Sequence, residues 1–299
     1  MRPVRSSALA VVITGLVIAL VAVASPAGAT FPGKNGKIAF QSDRTGNNEI
    51  FVMNRDGTGV TRLTHFSGLD ENPAWSPGGG KIAFDRHRNG NTDIFVMKGD
   101  GTGVKRLTRN SARDFDPAWS PGGKRMAFVS QRTGHGDVYI LNLVSGTAKR
   151  LTTSSAFDGT PDWSPNGTRI AFMSLRAGNA DIFTVRPDGT HLRKVTTSTG
   201  DDVLPSWAPN GTKLAFIHVS GASQQVFTIK ADGTGLTKLT HNPLLKGELA
   251  WSPNGRKIAI TEGTEENPDI YVMNADGSHL KRLPGSSSSS DGSPSWQRI

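Results

Sequence analysis

Cysteine is absent from all 299 residues. That excludes disulfides, thiolate metal sites, cysteine nucleophiles and lipid attachment at an N-terminal cysteine. Catalytic signatures are missing as well. There is no G-x-S-x-G nucleophile elbow and no H-E-x-x-H zinc motif. The seven histidines (His65, His87, His135, His191, His218, His241 and His279) fall at scattered places, so nothing in the sequence gathers them on one metal ion. The acidic turns lack the dense D-x-D-x-D-G spacing and closing Glu of a calcium loop. No cofactor and no metal is expected from these residues. Beyond the first 29 residues no run is long or apolar enough to span a bilayer.

Those 29 residues differ from the rest. Arg2 and Arg5 precede an uncharged apolar stretch from Ala8 to Ala24, and Ala27-Gly28-Ala29 supplies small residues at a cleavage point. This pattern reads as a secretory signal peptide, with Thr30 the first mature residue. The expected localisation is therefore exported: extracellular, periplasmic or associated with the cell wall. No integral membrane span is expected after cleavage. Removing the two arginines lowers the formal charge from +9 to +7. Export argues against nucleic acid as the target of this basic excess and leaves anionic cell-wall polymer.

What the chain does have is a period. Trp75, Trp119, Trp163, Trp207 and Trp251 are spaced by 44 residues, and Trp296 follows after 45. Ile38-Ala39-Phe40, Ile82-Ala83-Phe84 and Met126-Ala127-Phe128 open a second series in the same phase. Ile50-Phe51-Val52 and Ile94-Phe95-Val96 open a third, and Arg62-Leu63-Thr64 a fourth. Each unit thus offers four short segments rich in β-branched and aromatic residues, which are strands. Turns such as Ser164-Pro165-Asn166-Gly167 and Asp56-Gly57 separate them, with residues that accept the positive φ of tight hairpins. Apolar runs without alternation place both sheet faces in the interior. Four antiparallel strands per 44 residues describe a propeller blade.

The consensus P-x-W-S-P-x-G-x-x-I-A-F-x-S-x-R-x-G-x-x-D-I-F-V-M-x-x-D-G-T-x-x-x-R-L-T resembles the TolB-type propeller repeat and runs through residues 31–299. The expected fold is all-β: a six-bladed propeller of four-stranded antiparallel blades over 30–299, preceded by the signal peptide over 1–29. Trp296 has no strand after it, so the C-terminal segment is expected to provide the innermost strand of blade one and close the ring. Phe31 stands at the same phase but too close to the expected cleavage site to have a strand before it.

Two polar series fall on the face shared by the loops entering the inner strands and those joining strands two and three. Asp70, Asp114, Asp158, Asp202, Lys246 and Asp291 precede the tryptophans by five residues. Arg44, Arg88, Arg132 and Arg176 occupy the second series, completed by Ser220 and Thr264. An acidic ring at a channel mouth suits a cation or a basic peptide. The competing reading pairs each Asp with the Arg of its own blade, and the joint loss of both at Lys246 and Thr264 favours it. A second acidic series (Glu49, Asp93, Asp137, Asp181, Gln225 and Asp269) has the regularity of a framework. Basic residues concentrate on the fourth strands, where lysine also deters edge-to-edge aggregation.

The largest departure from the repeat lies at blades five and six. His241-Asn242-Pro243-Leu244-Leu245-Lys246 replaces the usual loop, and His218 sits nearby in phase. His218, His241, Leu244, Leu245 and Lys246 form a candidate partner patch. The TolB resemblance implies a binding or scaffold role within envelope assemblies. It does not extend to the α/β domain preceding the TolB propeller, for which this sequence has no residues, so no contacts are carried over. The expectation is a non-catalytic module receiving a protein or peptide partner at its channel face. The alternatives are a propeller hydrolase or lyase acting on extracellular carbohydrate, and adhesion to anionic wall polymer.

Overall fold

The computed structural model describes residues 30–264, 266–285 and 289–299; the expected signal segment over 1–29 lies outside them. Six four-stranded antiparallel sheets form the blades of a propeller. From the channel outwards, blade one is built of Asp291–Arg298, Asn35–Ser42, Glu49–Met53 and Thr61–Arg62. The C-terminal strand therefore closes the ring, with Trp296 opposite Ile38 in register. Phe31 is buried in the core cluster that includes Ala74 and Trp119. Thr30 donates to the Trp251 carbonyl at 3.0 Å, and the Gly33 amide to that of Pro253. The segment Thr30–Gly33 thus runs under the tryptophan end of the ring.

The other inner strands are Leu69–Trp75, Asp114–Trp119, Asp158–Trp163, Asp201–Trp207 and Leu245–Trp251. In five blades the second and third strands carry a facing aromatic pair, such as Phe40 with Phe51 at 5.8 Å between ring centres and Phe216 with Phe227 at 6.0 Å, while blade six has Ile260 opposite Tyr271. Such pairs add about 0.5–1.5 kcal/mol beyond burial. The blades then pack face to face, which explains why the apolar runs do not alternate with polar residues.

Every inner strand slips register against its neighbour midway along its length. In five blades the residue before the strand's proline has positive φ: Asn72, Asp116, Thr160, Leu204 and Ser293 lie between 51° and 62°. For residues other than glycine this is a costly conformation. It turns the strand so that one backbone amide reaches the neighbouring blade. Asp116 N–H donates to Asp85 Oδ2 at 3.1 Å, and Asn72 N–H donates to Gln41 Oε1 at 3.0 Å.

Candidate functional site

The loops entering the inner strands and those joining strands two and three share one rim of the channel, and each blade carries a polar clamp there. In blades one, three and four the arginine folds back from the loop. Its Nε donates to a serine two residues earlier and its Nη2 to the aspartate of the inner strand. Arg44 holds Ser42 and Asp291, Arg132 holds Ser130 and Asp114, and Arg176 holds Ser174 and Asp158, the ion pairs spanning 2.7–3.1 Å. The same guanidinium groups lie over the blade's aromatic pair, Arg44 at 5.3 Å from Phe40 and 5.0 Å from Phe51. Each arginine is thus fixed by charge and by ring faces together.

Blade two departs from the expected series. Its second hairpin closes in two residues, Asn89 and Gly90, both with positive φ. Two-residue turns of that kind continue the ladder to its tip, which leaves Arg88 exposed there. Arg86 takes over, gripping both Asp70 oxygens at 2.7 Å through Nε and Nη2. Blade five substitutes His218, whose Nδ1 lies 2.7 Å from Asp202 Oδ1. Blade six keeps an ion pair but exchanges its signs: Lys246 stands where the aspartate would be, and its Nζ lies 3.4 Å from Glu262 Oε1. Thr264 is not the compensating position. Ser42, Arg86, Ser130, Ser174, His218 and Glu262 share one repeat phase, and that column carried the signal.

Burial sets the electrostatics. Asp70, Asp114 and Asp291 have their carboxyl pKa raised, burial being the largest cause, with their hydrogen bonds and guanidinium partners pulling it back. Burial likewise lowers the Lys246 pKa against the attraction of Glu262. The second acidic series ties the third strand to the fourth: Glu49–Arg62, Asp93–Arg106, Asp137–Arg150, Asp181–Lys194 and Asp269–Arg282 lie within 2.6–2.9 Å. These five outer-strand bases are therefore engaged within their own blades, which thins the cationic belt open to an anionic polymer.

Of the partner-patch residues, His241 is exposed and His218, Leu244 and Leu245 are half-buried. Lys246 is buried, with Asn242 and the Leu244 carbonyl completing its coordination, and it anchors the loop from below.

Deeper in the channel stand carboxyl groups that the repeat pattern did not single out. Glu71, Asp85, Asp116 and Glu248 lie on or beside the inner strands of blades six, two and three, and Asp162 lies on that of blade four. Asp85 and Asp162 have their pKa raised well above the usual carboxylate range, and that of Glu248 is raised, in each case chiefly through burial. Asp162 accepts the Trp207 amide of the next blade at 2.6 Å. A single-blade difference, such as Asp162 where three other blades have alanine, was the available trace.

A model of the TolB β-propeller domain matches residues 19–114 and 109–247. The Tol-Pal system protein TolB of Geobacter sulfurreducens is 50% identical over 44 residues, a stretch one blade long that covers 15% of this chain and 10% of that protein. Among solved structures, TolB from Acinetobacter baumannii superposes with a TM-score of 0.80 at 22% identity, over 90% of this chain and 68% of that one. An oligogalacturonate lyase from Vibrio parahaemolyticus superposes with a TM-score of 0.59 at 13% identity, over 89% of this chain and 82% of the lyase. At these identities the structural likenesses show the fold. Among the described residues no helix is long and apolar enough to cross a membrane.

Proposed function

The chain belongs to the TolB β-propeller family, and from that premise we propose that it is an exported, non-catalytic module that receives a protein or peptide partner on its channel face at the cell envelope. The observation that carries this reading is the clamped rim. Five ion pairs and the His218–Asp202 hydrogen bond, different in residue but alike in place, hold the rim of the six blades. A rim fixed in this way offers a partner a surface whose ordering cost is already met. The rim is also polarised. Blades five and six interrupt the arginine pattern and bring Leu244 and Leu245 to it beside His241, giving an apolar segment within a polar ring.

The family resemblance supports a binding role, and the Tol-Pal name of the Geobacter relative supports the envelope as its place. Export rests on the signal pattern over 1–29. The test is capture from envelope extract on immobilised full-length protein, with a Leu244→Ser/Leu245→Ser variant of unchanged circular dichroism beside it. A defined protein retained by the parent and lost by the variant is the expected result. Equal retention by both would move the site off the blade five–six rim, and retention of no protein would remove the binding-module reading.

A further inference from the structure

At the tryptophan end of the ring, the turn joining the third and fourth strands of a blade leans on the blade before it. The turn glycines measure how closely. A methyl group added at Gly101 would lie 2.8 Å from the Leu63 carbonyl oxygen, one at Gly233 3.0 Å from that of Val195, and one at Gly277 2.4 Å from that of Leu239. At Gly57 it would lie 2.5 Å from Pro284. All four are inside ordinary van der Waals separation. Blade three has Ser145 at this place. At Gly189 of blade four the same distance, to the Leu151 carbonyl oxygen, is 3.7 Å, so this turn stands back from blade three. At the following seam Arg193 Nη2 donates to the Asp232 carbonyl and ties the turn down. One repeat earlier the equivalent residue is Lys149, and among the described residues no hydrogen bond ties it to the Asp188 turn.

The gap is an open cleft of two adjoining lobes, of about 440 Å³ and about 250 Å³, which share Arg125, Pro187 and Asp188. Arg186 lines the first lobe, and Lys149 and Arg150 line the second above Ile140 and Leu151. Arg125 stands between them. Its guanidinium lies 4.9 Å from the centre of the Trp163 ring, a cation–π contact that holds it on the floor of the cleft. Arg150 is engaged by Asp137 at 2.9 Å. Arg125, Lys149 and Arg186 are exposed, and among the described residues none of them forms an ion pair. Asp188 is the acid on the lining, and its Oδ1 already accepts the Thr190 amide at 2.9 Å and the Thr190 hydroxyl at 2.7 Å. Positive charge is thus spread along the cleft, from one lobe to the other, over an apolar floor.

We propose that this cleft binds a phosphodiester chain, laid along the seam with successive phosphates on Arg186, Arg125 and Lys149. The guanidinium forks each pair with two phosphate oxygens, and the lysine adds a point charge. A ligand with a single charge would answer one lobe and leave the other. Charges repeated along a flexible chain meet both. No lining side chain is aromatic, and Trp163 lies beneath Arg125. The stacking platform that single-stranded nucleic acid uses is therefore missing, and the chain that fits is one of phosphate and small polyol units. The cleft lies at the opposite end of the ring from the clamped rim, so a partner at the channel mouth and a polymer on the seam can be held together.

The experiment is fluorescence anisotropy on the full-length protein at pH 7.5 and low salt, with a labelled short poly(glycerol phosphate) as the probe. The parent is expected to bind it, and added salt to weaken the binding. A Lys149→Glu/Arg186→Glu variant should lose at least tenfold in affinity, and the neutral Lys149→Gln/Arg186→Gln variant a smaller share. Lys105→Glu/Lys281→Glu makes the same change of charge at exposed fourth-strand positions of blades two and six, and should stay within twofold of the parent. All four sites are exposed, so each variant should melt with the parent. Equal losses in the two charge-reversed variants would overturn the proposal, since the whole basic surface and not the seam would then be binding. Absence of binding by the parent would overturn it as well. Displacement of the probe by inorganic phosphate at equal phosphate concentration would replace the chain with a single anion, and equal displacement by oligoglutamate would replace it with an acidic peptide. None of these outcomes touches the Leu244/Leu245-dependent capture, which tests the opposite face.

Discussion

Lys246 and Glu262 are the rim clamp of the sixth blade with its charges exchanged: the base stands on the inner strand, the acid on the second, and both side chains are fully buried. The ion pair, more than the identity of either residue, is what this place in the blade requires. Losing one partner of a buried pair costs about 3–5 kcal/mol, because the other charge is left in the interior. Lys246→Glu is expected to destabilise by that order in urea unfolding, and Lys246→Glu/Glu262→Lys to recover most of the loss. Independent, additive losses would deny the coupling.

Blade two separates two arginines that the repeat would confuse. Arg86→Ala leaves Asp70 buried without its guanidinium and should cost about 3 kcal/mol. Arg88→Ala, at the exposed tip of the hairpin, should stay within about 0.5 kcal/mol. Thermal melts of the two variants decide the matter, and a larger effect at Arg88 would refute the assignment.

The buried channel carboxyls give stability a definite slope with pH. Asp85, Asp162 and Glu248 have folded-state pKa values above their unfolded ones. Their contribution is full below the unfolded values near pH ~4 and is lost as pH rises through the raised folded values. Asp162→Asn keeps an oxygen for the Trp207 amide and removes the ionisation. It should melt a few degrees higher than the parent at pH 8 and at nearly the same temperature at pH 4. A variant less stable at pH 8 would show that the carboxylate is compensated.

Ring closure rests on the last strand. Trp296 is 7% exposed and joins the cluster of Ile38, Phe40 and Phe51. Trp296→Ala should cost about 3–5 kcal/mol, and proteolysis should then enter at the C-terminal strand first. A loss below about 1 kcal/mol would show that blade one holds without this anchor.

The blade count and the closing strand were legible because a 44-residue period repeats wherever blades must pack on their neighbours. The aspartates of the rim were legible for the same reason. Their partners were less so. Arg88 keeps the phase of Arg44, yet a two-residue turn at Asn89-Gly90 alters how the chain reaches the rim, and sequence spacing does not record turn type. Glu262 was hidden because its compensation lies in the serine column, two residues from the arginine column. The deeper acids were hidden for the opposite reason: Glu71 and Asp85 stand alone in their repeat columns, Glu248 shares its column only with Asp116, and the contact of Glu248 with Ser293 arises only when the ring is closed.

The central claim is that a partner sits in the mouth of the channel. The most direct measurement is photocrosslinking in cells with a benzophenone amino acid at Val203 of the channel wall, set against the same probe at Val144, which is 82% exposed on an outer turn. The account predicts a discrete crosslinked protein from Val203 and none from Val144. Crosslinks from Val144 alone would place the interaction on the outside of the ring and contradict it.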